Sequence, residues 1–173
     1  AGTLKLSAGG SAGTIGGTLT VNSGATVEGA VTNALGYSVT ASWVRTLNIN
    51  SGTFLTSVNG DQGWGITINL NGGTLSASNG GYYSLGGNSS INSIASSTSS
   101  TISAPIKIRE GNTSDVLLVT VADGAASEDL IISGVISQNN STARGLTKNG
   151  SGILSLSAAN TFAGPTTISA GTL

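Results

Sequence analysis

Residues 69–75 have the sequence NLNGGTL, and closely related stretches occur at three other places in the chain. These are TVNSGAT at 20–26, NINSGTF at 48–54 and TISAGTL at 167–173. Each stretch joins an alternating apolar and polar segment, which is typical of a β-strand, to a small polar residue that is followed two places later by a glycine. The recurring unit is therefore a strand, a tight corner and a second strand.

The corner of this unit carries asparagine and glycine for physical reasons. A chain that turns within two or three residues needs backbone angles that glycine adopts without strain and asparagine tolerates. Asparagines at equivalent corners also form ladders, in which each amide hydrogen-bonds to the next. We therefore predict structural corner and ladder roles for Asn22, Asn50, Asn71, Gly24, Gly52, Gly73 and Gly171. The aligned apolar residues that precede these corners, predicted to point inward, are Val21, Ile49, Leu70 and Ile168.

The spacing of the units favours a β-solenoid. No segment keeps a helical apolar period, and apolar clusters return at irregular intervals of roughly 20 residues, which is typical of stacked β-coils. Residues 116–121 and 130–136 are more continuously apolar, like strands buried on both faces. We predict one all-β solenoid over residues 1–173 with about eight coils. Asn-Gly pairs at 59–60, 71–72, 79–80 and 149–150 fit hairpin turns, so an antiparallel sandwich is the alternative.

Composition excludes several functional classes. Charged residues make up 8% of the chain and the net charge is −1, which argues against nucleic-acid or anionic-membrane binding, and no apolar run is long enough to span a bilayer. The chain has no His and no Cys, so a Ser-His-Asp triad, a thiolate metal site and disulfides are ruled out. The acidic cluster Asp123, Glu128 and Asp129 matches no calcium-loop spacing and is interpreted as a solvated loop. We expect no catalytic residues, no metal and no cofactor.

The few aromatic residues suggest one binding hypothesis. Trp64 lies in a glycine-rich loop, and Tyr82 and Tyr83 follow another. Exposed aromatic rings stack on sugar faces, so loops 60–65 and 80–83 are candidate glycan contacts. The alternative is that these rings cover the solenoid or fill its wider coils. Ice binding by threonine rows is disfavoured, because coils of unequal length are not expected to bring the rows into register.

The C-terminal segment resembles a known family. Residues 146–173, LTKNGSGILSLSAANTFAGPTTISAGTL, closely resemble the autotransporter-associated β-strand repeat of bacterial passenger domains. The positions that carry the resemblance are Lys148, Gly150, Gly152, Leu154, Leu156, Asn160, Phe162, Gly164, Thr166, Ile168, Gly171 and Leu173. The resemblance implies a right-handed parallel β-helix that is secreted and displayed outside the cell, and it implies no catalytic residues.

These observations lead to three functional hypotheses. The first is a structural module of an extracellular bacterial surface fibre or giant passenger protein, which builds length by stacking β-coils. AGTL occurs at both ends of the chain, which suggests one unit of a tandem array that contacts copies of itself end to end. The second is an adhesin that binds a host or matrix glycan through the aromatic loops. The third, a polysaccharide-active enzyme, is disfavoured because the chain has only seven acidic residues and their one cluster is interpreted as a solvated loop.

Overall fold

The structure is a computed structural model that describes residues 2–37, 43–60 and 63–173 of the 173-residue chain. Those residues form seventeen β-strands and one short 3-10 turn, Thr113–Asp115, with no α-helix among them. In chain order the strands are β1 Gly2–Leu6, β2 Gly17–Val21, β3 Ala25–Gly29, β4 Val44–Asn50, β5 Thr53–Thr56, β6 Thr67–Asn71, β7 Thr74–Ala77, β8 Tyr83–Leu85, β9 Ser90–Ser93, β10 Ser100–Ile102, β11 Ile106–Ile108, β12 Val116–Val121, β13 Leu130–Ile132, β14 Ile136–Gln138, β15 Gly145–Asn149, β16 Leu154–Leu156 and β17 Thr166–Ile168.

The strands form three parallel sheets. Sheet 1 has the order β1-β3-β5-β7-β10-β13-β16, sheet 2 has the order β2-β4-β6-β9-β12-β15-β17, and sheet 3 contains β8, β11 and β14. Every pairing between these strands is parallel. The predicted right-handed parallel β-helix is therefore confirmed, and the antiparallel sandwich is excluded. It has about seven turns where about eight were predicted, since each long sheet has seven strands.

Each coil follows the same path, which explains the recurring unit. The chain passes along sheet 2, turns at a corner and enters sheet 1. The first three corners are two or three residues of asparagine, serine and glycine, as from β4 through Ser51 and Gly52 to β5, and the corners after β9 and β12 are longer. It then crosses the third side of the solenoid, either in a loop or in a short strand of sheet 3, and returns to sheet 2. The corner between sheets 2 and 1 and the third side both contribute to the variation in coil length.

The interior consists of stacked columns of apolar side chains. In each strand every second side chain points inward, and the parallel register stacks the apolar side chains of one coil on those of the next. One column runs Leu19, Leu47, Ile68, Ile91 and Val119, and another runs Val27, Phe54, Leu75, Ile102 and Ile132, all of them buried. Burying each such side chain contributes about 1.5–3 kcal/mol before chain entropy is subtracted.

Two apolar segments differ from their predictions. Residues 130–136 are not one strand but two, β13 and β14, because the chain turns at Ser133 and Gly134. At this corner a Cβ on Gly134 would lie 2.0 Å from the Ala104 carbonyl oxygen. Strand β12 is not buried on both faces, because Leu118 points outward and is 38% exposed.

The fourth copy of the recurring unit is aligned differently from the prediction. Ile168 stacks on Lys148, which stacks on Val119 in the column that continues to Ile91 and Ile68. The other three units place Val21, Ile49 and Leu70 in the neighbouring inward column, two residues further along the strand. The C-terminal unit is therefore displaced by two residues relative to the other three, and its inward side chains still face the core.

Coils of unequal length do stay in register, so the expectation that unequal coils would not align their threonines was wrong. Thr3, Thr26, Thr53, Thr74 and Thr101 form one continuous row on the outer face of sheet 1. Two residues further along the strands, the neighbouring row has Lys5, Glu28, Leu55 and Ser76. Sheet 1 therefore carries one threonine row, and the row beside it is not threonine.

Membrane crossing by a helix has no support in the fold, since none of the described segments is a helix that is long and apolar enough to span a bilayer.

Candidate functional site

The predicted asparagine corner lies where sheet 2 turns into sheet 1. The Asn50 side-chain amide donates a hydrogen bond of 3.2 Å to Asn22 Oδ1, although the two residues are 28 positions apart in sequence. Asn71 lies on Asn50 in the parallel register of β4 and β6. The structure thus brings these three asparagines to equivalent positions on successive coils.

The corner glycines serve two different physical purposes. Gly24 and Gly171 have φ of +74° and +70°, in the left-handed region that favours glycine. Gly52 and Gly73 lie against the preceding coil, where an added Cβ would come within 2.7 Å and 2.3 Å of the carbonyl oxygens of Asn22 and Ile49. The conformational argument made from the sequence therefore applies to Gly24 and Gly171, and close approach between coils explains Gly52 and Gly73. Close approach also acts at Gly171, where an added Cβ would lie 2.5 Å from the Gly152 carbonyl oxygen.

A longer side-chain ladder, which the sequence analysis did not identify, runs along the outer face of sheet 2. Asn48 donates to Thr20 Oγ1 at 3.3 Å, Asn69 to Asn48 Oδ1 at 2.8 Å, and Asn92 to Asn69 Oδ1 at 2.9 Å. The register continues from Asn92 to Thr120 and Asn149. The signal was present as a second asparagine two places before the corner in NIN (48–50) and NLN (69–71).

Asn69→Ala is expected to destabilise the solenoid by about 1–2 kcal/mol, because it removes two hydrogen bonds of roughly 1 kcal/mol each at a half-buried position. Asn22→Ala is the matched control, since Asn22 accepts one longer bond at an exposed position near the end of its row. We expect the control to cost about half as much or less. Urea unfolding of both variants measures the difference, and equal effects would contradict a cooperative ladder.

A lysine occupies the apolar interior near the C-terminus. Lys148 continues the column of Ile91 and Val119 and is fully buried. Its ammonium donates to the carbonyl oxygens of Gly150 at 2.7 Å, Ala170 at 2.9 Å and Asn149 at 3.3 Å. Burial lowers the pKa of Lys148, and attraction to Asp129 opposes that shift. Lys148 therefore connects the corner of its own coil, at Asn149 and Gly150, to Ala170 on the next coil.

Asp129 lies near this lysine and is buried, which corrects the prediction of a solvated acidic loop. Its two carboxylate oxygens accept backbone N–H groups from Gly124 at 2.7 Å and from Ile153 on the next coil at 2.8 Å. No group of three or more acidic, His or Cys residues able to hold a metal occurs in the part of the chain that the structure describes. The role visible for Asp129 is therefore to join two coils.

The burial of Lys148 predicts a pH dependence of stability. The folded chain holds this proton less tightly than the unfolded chain, so the free energy of unfolding should rise as the pH approaches 10.5 from below. Burial raises the pKa of Tyr83 well above 10.0, so stability should fall again at higher pH, where only the unfolded chain loses that proton. Urea unfolding between pH 7 and 10 should show a rise in the natural chain that is smaller in Lys148→Met.

The predicted glycan contacts separate into exposed and buried side chains. Tyr83 is fully buried, packs edge-on against Phe54 with ring centroids 6.2 Å apart, and donates its hydroxyl to the Ser76 carbonyl at 3.3 Å. Because its ring belongs to the core, Tyr83 is not available to a glycan. Tyr82 is half-buried, and the Lys107 ammonium lies 3.7 Å from the centre of its ring.

Trp64 lies at an open cleft on the third side of the solenoid. The cleft has a volume of about 280 Å³ and is lined by Asn33, Tyr37, Gly63, Trp64 and Arg109; we call these five residues the aromatic cleft. The Arg109 guanidinium lies 5.0 Å from the centre of the Trp64 ring and donates to Glu110 at 2.9 Å. Arg109 therefore pairs with an acid on its own coil. Positions 61 and 62 of the predicted loop lie outside the described residues.

Comparison with known proteins agrees with the architecture. Residues 146–173 match the family model described as passenger-associated-transport-repeat, which confirms the resemblance found in the sequence. No curated protein and no solved structure matches the chain significantly. The repeat and the parallel β-solenoid together fit a structural module of an autotransporter passenger.

Proposed function

We propose that this chain is a structural module of an extracellular bacterial surface fibre or giant passenger protein and that it builds length by stacking β-coils. The observation that supports this most strongly is the uninterrupted parallel register of two seven-stranded sheets, which ends in a passenger-associated repeat. The proposal assigns the chain no catalytic activity and no cofactor. It places the module at the bacterial cell surface, where passenger repeats belong.

The mechanism of such a module is mechanical. Backbone hydrogen bonds run along the solenoid axis, the interior columns are apolar, and the outer ladder of sheet 2 joins successive coils through side chains. If each coil buries about four aliphatic side chains, it contributes roughly 6–12 kcal/mol gross before chain entropy is subtracted. Stability then increases with every coil added, as in other repeat proteins.

The first and last coils of the described solenoid carry inward-facing apolar side chains, as the coils between them do. Leu4, which pairs with the buried Val27, is 51% exposed. At the other end Ile168 is 51% exposed and Leu173 is 42% exposed. We propose that the stacking continues through copies of this module, because every coil described buries its apolar side chains against the coils stacked beside it.

The shared AGTL tetrapeptide does not occupy equivalent positions at the two ends. Thr3 lies in the row that reaches Ile131 and Ser155 through Thr26, Thr53, Thr74 and Thr101. Thr172 pairs with Ile153, two residues before Ser155. The uninterrupted stacking of coils within the chain therefore supports stacking of copies more strongly than the repeated tetrapeptide does.

Light scattering and electron microscopy test the stacking proposal. We expect the purified chain to associate into rods with increasing concentration, and we expect Leu4→Asp and Ile168→Asp to stop that association by placing a charge in the contact. Leu118→Asp is the matched control, because Leu118 is an exposed leucine on the outer face of sheet 2 and not at an end. A chain that stays monomeric at every concentration would contradict end-to-end stacking.

A second candidate function is glycan adhesion, and one observation favours it. The aromatic cleft brings an exposed tyrosine and a tryptophan together with an arginine and an asparagine on the third side of the solenoid. Tryptophan, tyrosine and arginine are the residues enriched at binding hot spots. The two functions are compatible, since a passenger that projects from the cell can also carry a contact site.

A further inference from the structure

We infer that the aromatic cleft is a binding site for a single pyranose ring at the end or branch of a saccharide. This inference deepens the second candidate function, glycan adhesion, and is independent of end-to-end stacking. It uses Tyr37, Asn33 and Arg109, none of which the sequence analysis had selected as a glycan contact, and it omits the buried Tyr83.

The position of Trp64 is fixed by the glycines of the coils stacked beside it. An added Cβ would lie 2.6 Å from the indole at Gly86, 2.7 Å at Gly87 and 3.4 Å at Gly111. Backbone hydrogen bonds from Gly65 to Gly86 and from Gly87 to Glu110 hold these corners in line. The indole thus packs closely on bare backbone from two coils, which fixes the ring before any ligand arrives.

The second ring of the site is held differently. Tyr37 is 47% exposed, and its backbone N–H donates to the Ser11 carbonyl at 2.9 Å. It follows the turn at Asn33 and Gly36, whose φ angles of +56° and +79° close with a hydrogen bond of 2.9 Å. A largely exposed ring on an anchored turn offers contact area at little conformational cost.

The polar residues of the cleft suit hydroxyl groups. The side-chain amide of Asn33 supplies both donors and an acceptor, and the Arg109 guanidinium supplies a planar set of donors. The Glu110 partner of Arg109 has a pKa lowered to about 2, chiefly by a hydrogen bond to its own backbone, so the pair stays charged at neutral pH. Glu110 also accepts from Asn139 at 2.9 Å, which anchors it to the next coil.

The chemistry and size of the cleft select the ligand class. A pyranose has a face of C–H groups that packs on aromatic rings and a rim of hydroxyls that need donors and acceptors, and the cleft provides both. A volume of about 280 Å³ lies at the lower end of small-molecule sites, so one ring fits better than a long segment. The positive charge of Arg109 at the cleft is paired with the negative charge of Glu110. The pair therefore produces no strong positive field that would select phosphate-rich ligands.

A glycan array carrying neutral, amino-sugar and uronate oligosaccharides tests the inference, followed by fluorescence titration of the strongest binder. The titration uses a Trp43→Phe background, in which Trp64 is the sole tryptophan of the chain. We expect Tyr37→Ala to weaken binding about tenfold or more, because it removes one of two stacking rings. Tyr82→Ala, which removes a tyrosine outside the five cleft residues, should bind within about twofold of the parent.

Three results decide the matter. Binding that is lost in Tyr37→Ala and kept in Tyr82→Ala supports the cleft. Absence of binding to every printed saccharide, or equal weakening by both substitutions, overturns it. On the glycan array Trp64→Ala should lose binding. If that variant does not fold, Trp64→Phe, which keeps a ring packed on Gly86, Gly87 and Gly111, should retain measurable binding. Failure of this test leaves the light-scattering result for end-to-end stacking unaffected, so the two proposals fail separately.

Discussion

Gly150→Ala is expected to destabilise the protein by about 3 kcal/mol or more, the largest effect of any methyl addition at a corner. Gly150 has φ of +79°, which costs a residue with a side chain roughly 1–2 kcal/mol. In addition, the new Cβ would lie 2.2 Å from the Val121 carbonyl oxygen on the coil before. That oxygen accepts the Gly152 N–H at 2.9 Å, so moving it away breaks the contact that stacks the two coils.

Gly24→Ala separates the two contributions to this effect. Gly24 has nearly the same φ, +74°, but an added Cβ there has nothing within 4 Å. We expect this control to cost about 1–2 kcal/mol, the conformational term alone. Urea unfolding of the two variants, with the denaturant slope checked for change, gives the energy of close stacking as their difference. Equal destabilisation would show that the coils near Gly150 can separate without loss.

The architecture was predictable because its signals are local. Alternation over three to five residues and an asparagine-glycine corner are both visible within a stretch such as 69–75, and each repeats in the sequence. The parallel register then follows, since only stacking lets every coil bury its apolar face. The number of coils was less accessible, because the third side of the solenoid has short strands in some coils and loops in others, without a shared pattern.

Some of the errors lie where a contact joins residues far apart in sequence. Asp129 was interpreted as part of a solvated loop because its acidic cluster matches no calcium-loop spacing, yet one of its partners is the N–H of Ile153 on the next coil. The backbone surface on which Trp64 packs was not predicted for the same reason, because Gly86, Gly87 and Gly111 come from two later coils. Sequence patterns indicate the role of a residue within its own coil, whereas these contacts join residues of different coils.

The few positively charged residues of the chain also share a structural feature that the composition does not show. All six lysines and arginines have a specific partner. Lys5 pairs with Glu28, Arg109 with Glu110 and Arg144 with Asp115; Arg45 and Lys107 lie over aromatic rings; and Lys148 is held by carbonyl oxygens. A charge on a solenoid meets its neighbours at the strand spacing of about 4.8 Å, so unpaired like charges would repel along the axis.

Lys148→Ala is expected to cost about 3–5 kcal/mol, which makes it the second large effect. The substitution leaves the carbonyl oxygens of Gly150 and Ala170 without their donor and leaves the buried Asp129 carboxylate without a nearby positive charge. It also removes the hydrocarbon stem that fills the column between Val119 and Ile168. Both the polar and the packing losses fall on the last coils, so we expect hydrogen exchange to rise first in β15 and β17.

Lys148→Met distinguishes the ammonium from the stem, because methionine fills a similar volume and donates no hydrogen bond. If the carbonyl contacts matter, Lys148→Met should still lose about 2 kcal/mol, with the remainder of the alanine effect due to packing. A double-mutant cycle with Asp129→Asn measures the attraction between the two buried charges, and we expect a positive coupling of about 1 kcal/mol. Should Lys148→Met prove as stable as the natural chain at pH 7, the lysine would act only as an apolar stem, since an isosteric apolar side chain can replace a buried charge without loss when that charge contributes nothing.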